Sequence, residues 1–96
     1  MRRDEALRVL REHKRELAAQ YGVTRLALFG SVAKDRAREG SDVDVVVEMR
    51  KPDLFFLVHI KALLEESLHC PVDVVRYSNR MNAFLKKRID EEAVDV

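Results

Sequence analysis

Three short runs of β-branched and apolar residues, Val23 to Phe29, Val43 to Val47 and Val72 to Arg76, decide what this chain can fold into. Each has the length and composition of a strand and ends at a turn signal or a charge. The segments between them carry apolar residues at helical spacing instead. Residues 3 to 20 place Leu7, Leu10 and Leu17 on one face, followed by Tyr21, with Gly22 where a helix would stop. Pro52-Asp53 opens a second long helix that runs to about Leu68. Ser78 reads as the N-cap of a last helix over residues 79 to 92, through Met81, Leu85 and Ile89. The polar stretch Ala33 to Ser41 has room for a short helix, and Ala93 to Val96 reads as a last strand or a tail.

This order limits the topology. A helix of about 15 residues joins strands two and three, which is long enough for a parallel crossover. The shorter link between strands one and two permits antiparallel pairing. The expectation is one α/β domain over residues 1–96, a small mixed β-sheet with helices packed on one side. With 96 residues there is no room for a second, substrate-binding domain.

Charge and composition exclude several classes of function. Eighteen Lys and Arg nearly balance 17 Asp and Glu, so the molecule lacks the basic excess that nonspecific nucleic-acid binding requires, and no direct nucleic-acid substrate is expected. The single Cys70 has no partner for an internal disulfide and belongs to no zinc-like cluster. Residues 1 to 10 lack the apolar core of a secretion signal, and there is no uncharged run of membrane-spanning length. A cytoplasmic protein without a membrane role is the expectation.

The chemistry concentrates in aspartates. Asp42 and Asp44 stand two apart at the mouth of the valine strand, and a strand's period of two sends both side chains to the same face. Two carboxylates held so close repel one another unless a hard cation such as magnesium neutralises them. Asp73 lies between Val72 and Val74 in the third strand, where a charge is costly without compensation. If strands two and three are parallel neighbours, Asp73 falls beside the first pair, giving three carboxylates able to hold two magnesium ions. Gly30-Ser31 ends the first strand: the glycine lets a phosphate approach the backbone, and the serine hydroxyl suits either a phosphate contact or a helix cap.

Gly30-Ser31, ten intervening residues, Asp42-Val43-Asp44 and a later Asp73 in a strand together resemble the signature of the nucleotidyltransferases of the DNA polymerase beta superfamily. More narrowly, almost the whole chain resembles the MNT antitoxins of HEPN/MNT toxin–antitoxin modules. The resemblance implies a palm-like nucleotidyltransferase fold, ATP as donor, magnesium at Asp42 and Asp44, and Asp73 assisting the acceptor hydroxyl. It also implies a partner, a HEPN ribonuclease toxin whose tyrosine receives AMP. Many relatives have Arg and then Gly where this chain has Lys34 and Asp35, which keeps a cation for phosphate but alters the loop.

Other features leave alternatives open. On the helix after Pro52, Phe56, Leu57, Ile60, Leu63 and Leu64 form the stripe expected to face the sheet, whereas Leu54, Phe55 and Val58 project elsewhere, toward a further core layer or a protein interface. Basic residues on the first and last helices suit a solvated face, an acidic surface or nucleotide phosphates. His13, His59 and His69 have no spaced metal partner. Three readings of function follow: an adenylyltransferase antitoxin, an antitoxin that acts by occlusion alone, and an enzyme that adenylylates a small molecule.

Overall fold

The structure, a computed structural model, describes residues 1–38 and 40–96. In chain order the elements are α1 (Arg3–Tyr21), β1 (Val23–Phe29), α2 (Gly30–Ala33), β2 (Val43–Met49), α3 (Leu54–Leu68), β3 (Val72–Arg76), α4 (Ala83–Glu92) and β4 (Val94–Asp95). The sheet order is β3-β2-β1-β4. β1 runs antiparallel to both β2 and β4, whereas β2 and β3 are parallel across the α3 crossover, so the sheet is mixed as the link lengths predict.

Local chemistry sets the element ends. Asp4 and Glu5 lie in the first turn of α1, where negative charge complements the helix dipole, and Gly22 closes the helix in the left-handed conformation at φ 69°. Asp53 caps α3 by accepting hydrogen bonds from the backbone N–H groups of Phe55 at 2.8 Å and Phe56 at 3.2 Å. The C-terminal residues resolve as the strand β4: Val94 and Asp95 pair with Leu28 and Ala27.

Strand alternation then divides the core in two. Leu26, Leu28, Val43, Val45, Val47 and Val72 point to the face covered by α1 and α3, where they meet Leu10, Leu17, Ile60 and Leu64. Ala27, Phe29 and Val46 point the other way and are covered by Ile89 and Leu85 of α4. The sheet therefore carries helices on both faces, which corrects the one-sided packing expected from the sequence. The reason is the composition of β1 and β2, which are apolar on both sides and leave a second face to be covered.

The last helix also begins later than predicted, at Ala83 rather than 79. Ser78 does bond forward, accepting from the Arg80 N–H at 3.1 Å, but it closes only a turn. Asn82 is the cap, its Oδ1 accepting from Phe84 at 3.0 Å and Leu85 at 3.1 Å. Replacing Asn82 with Ala should cost about 1 kcal/mol in urea unfolding, the usual scale for a lost cap, and Ser78→Ala distinctly less. Equal losses would contradict this assignment of the cap.

On α3, Phe56, Leu57, Ile60, Leu63 and Leu64 do turn inward, and Tyr21 meets Phe56 edge-on with ring centroids 5.3 Å apart. Leu54 and Phe55 remain 75% and 76% exposed, and Val58 57%, so the further core layer does not form over them. Cys70 is half-buried, as a small apolar residue would be. Among the described residues no helix is long and apolar enough to cross a membrane.

Candidate active site

β1 delivers the chain to its C-terminal end at Phe29 in extended conformation, and Gly30 then turns it sharply at φ 76°. An L-residue with a side chain pays for that backbone region, but glycine does not. Gly30 has a second reason to lack a side chain. A Cβ there would run into Oδ2 of Asp44 and stand 3.0 Å from its Cγ, so the carboxylate rests directly against the glycine backbone. From Gly30 the chain enters the single turn α2, whose leading N–H groups have no acceptor within so short a helix.

Pairing places the aspartates. Phe29 is opposite Asp44 across the antiparallel β1–β2 ladder, and Asp44 is opposite Asp73 across the parallel β2–β3 ladder. Register partners share a face, so Asp44 and Asp73 both lie on the α4 side of the sheet, at the end where β1 finishes and β2 and β3 begin. Asp42 sits just before β2, beside the Val43 N–H that bonds the Pro71 carbonyl at 3.0 Å.

The electrostatics show that these charges feel one another. The Asp44 carboxyl is pushed above its ordinary value of 3.8, first by burial, then by the charge of Asp73 and then by that of Asp42. Asp42 and Asp73 are exposed. The strain expected of Asp73 between its valines is thus avoided, because β3 is an edge strand and its carboxylate stays in water. Among the described residues no three acidic, His or Cys side chains close into a group able to grip an ion unaided. The arrangement is instead a shared face of oxygen ligands on which like charges oppose each other. That donor set fits magnesium, because a hard dication prefers carboxylate oxygens and relieves the repulsion that, after burial, raises Asp44.

Lys34 and its surroundings differ from expectation. Its ammonium does not stand free but bonds Glu92 Oε1 at 2.6 Å, and Glu92 Oε2 also accepts from Arg88 Nε at 3.4 Å. Arg88 lies over the ring of Phe29, the register partner of Asp44, 5.5 Å from its centroid, so Glu92 joins two cations from distant parts of the chain. The i,i+4 spacing of Arg88 and Glu92 is visible in the sequence, but their link to Lys34 is not. Asp35 adopts φ 56°, the left-handed region that favours glycine.

A family model described as nucleotidyltransferase domain matches residues 10–96. The chain belongs to the nucleotidyltransferase domain family. It is 33% identical over 84 residues to a protein adenylyltransferase, MntA, of Thermococcus cleftensis, covering 86% of this chain and 85% of that protein. A provisionally assigned minimal nucleotidyltransferase of known structure superposes with a TM-score of 0.81 at 34% identity, covering 100% of this chain and 97% of the other. The fold also recurs in the complex of a tri-AMPylated Shewanella oneidensis HEPN toxin with its MNT antitoxin, with a TM-score of 0.61 at 17% identity over 97% of this chain and 66% of that one. As a nucleotidyltransferase the chain acts on a nucleotide.

Proposed function

We propose that this nucleotidyltransferase moves AMP from ATP onto a tyrosine hydroxyl of a HEPN ribonuclease toxin and thereby neutralises it. The observation that carries the reading is the Asp44 carboxylate lying against Gly30 and in register with Asp73. Acidic ligands are thereby brought beside a turn that a phosphate can approach. Support for a protein acceptor comes from the MntA relative, named a protein adenylyltransferase, and from the AMPylated toxin held by a protein of the same fold. The exposure of Asp42 and Asp73 also suits a macromolecular acceptor better than a small molecule that needs enclosing walls.

In this reading Asp42, Asp44 and Asp73 hold two magnesium ions. When bound, those ions lower the pKa of the acceptor hydroxyl and neutralise the departing pyrophosphate. The protein's own groups do the positioning. The Gly30-Ser31 turn receives the phosphates through its free N–H groups and the Ser31 hydroxyl. Asp73, at the exposed edge, takes up the proton of the attacking hydroxyl or orients it. The tyrosine oxygen bonds to the α-phosphorus as the bond from that phosphorus to the pyrophosphate oxygen breaks, and holding the two in line supplies most of the acceleration.

The exposed Leu54, Phe55 and Val58 favour a second reading, an antitoxin that works by covering its toxin without chemistry. One experiment separates the two. Incubated with ATP, magnesium and the partner toxin, the chain should add AMP-sized mass to the toxin, and a variant with Asp42→Asn and Asp44→Asn should neither add mass nor neutralise. Neutralisation by that variant, with no mass gained, would replace catalysis with occlusion.

A further inference from the structure

Two cations, one just past the Gly30-Ser31 turn and one over Phe29, are held by a single carboxylate. Lys34 follows directly on the turn that Gly30-Ser31 opens, and Arg88 reaches in from α4 across Phe29, the residue opposite Asp44. Glu92 bonds both, Lys34 at 2.6 Å and Arg88 at 3.4 Å. We infer that Glu92 is a latch that keeps Lys34 and Arg88 paired beside the site until the triphosphate of the incoming nucleotide displaces it and takes both cations.

Charge favours something of this kind. Magnesium would offset the aspartates, but the chain as a whole carries a net charge of only +1, so further attraction for a polyanion comes from cations placed locally. Left unpaired, two such cations would repel each other and attract any anion. Glu92 settles them, and their proximity holds its carboxyl below its ordinary value, the Lys34 hydrogen bond contributing most. Lys34 and Glu92 side chains are 37% and 29% exposed and Arg88 46%, so the pairs are solvated and weak, and a carboxylate with one charge yields readily to a phosphate chain with several. Arg88 loses little on exchange. Its guanidinium is already positioned by the Phe29 ring, and its planar fork matches phosphate oxygens as well as carboxylate.

Lys34 and Arg88 are thus nucleotide contacts, and Glu92 is a positioning residue that acts through them. The inference rests on the reading of ATP as donor, and calorimetric binding of a non-hydrolysable ATP analogue with magnesium tests the two separately. Arg88→Met and Lys34→Gln should each weaken binding about tenfold, the scale of a hydrogen bond to a charged group, and Arg88→Lys should recover part of the loss. Glu92→Gln should do the reverse, tightening binding about threefold and lowering KM for ATP by a similar factor, with the gain shrinking as salt is added. A structural role for Glu92 would move affinity the other way or leave it unchanged, and either result overturns the latch. Unaltered affinity in both Lys34→Gln and Arg88→Met, with the wild type binding, overturns the inference while sparing the donor reading. If the wild type binds no analogue, both fall.

Discussion

Asp44→Asn is expected to reduce AMP transfer by about three orders of magnitude while leaving the protein at least as stable as the wild type. The first half follows from position, since Asp44 lies between Gly30 and Asp73 and is the carboxylate that the other two charges act upon. The second half follows from linkage. A carboxyl whose pKa is raised in the folded state favours folding only while it is protonated, so its contribution is fully present below the ordinary 3.8 and lost as pH rises through the raised value. Above that window the wild type carries a partly buried charge and its repulsion with Asp73 and Asp42, costs that an amide lacks. Thermal melts across pH should show the variant gaining on the wild type as pH rises from about 3.8. A variant less stable at neutral pH, or one retaining a tenth of wild-type transfer, would contradict this account of the site.

Gly30→Ala carries the second large effect, and here stability and activity should fall together. The added Cβ pays about 1–2 kcal/mol for the left-handed backbone, which in a domain of this size lowers Tm by roughly 5–15 °C. It must also displace the Asp44 carboxylate it overlaps. Misplacing a reacting group by about 1 Å is enough to cost on the order of a hundredfold in rate, so transfer should drop at least that far even at temperatures where the variant is fully folded. Gly40→Ala offers the comparison. Gly40 also has positive φ, at 84°, but among the described residues nothing lies within 4 Å of the Cβ it would gain, so only the backbone cost should appear.

Much of the geometry of this site is legible in the sequence, because β-structure is periodic. The two-residue spacing of Asp42 and Asp44 fixes a common face, and the helical link after Pro52 implies that β2 and β3 run parallel, which is enough to bring Asp73 beside Asp44. The extent of α3 and its buried stripe were legible for the same reason, with Asp53 as a strong cap and apolar residues in period. What the sequence hid depends on contacts between distant segments. That α4 covers the second face of the sheet turns on Ile89 and Leu85 meeting Ala27, Phe29 and Val46, a match that no local pattern announces. The start of α4 differs from the Ser78 expectation because Ser78 and Asn82 compete as caps, and the two-bond pattern of Asn82 decides it. The exposure of Asp73 was hidden because edge position is a property of the sheet rather than of the residues around it. The engagement of Lys34 by Glu92 is likewise a fact of tertiary structure.

Everything in the proposed chemistry rests on a dication binding between these aspartates when the nucleotide is present. Electron paramagnetic resonance of Mn2+, titrated with a non-hydrolysable ATP analogue into the wild type and into Asp44→Asn, measures that directly. The wild type should sequester protein-bound manganese in the presence of the analogue, and the variant should leave the free-ion signal close to that of the analogue alone. Equal sequestration by the two proteins would show that the ion sits elsewhere.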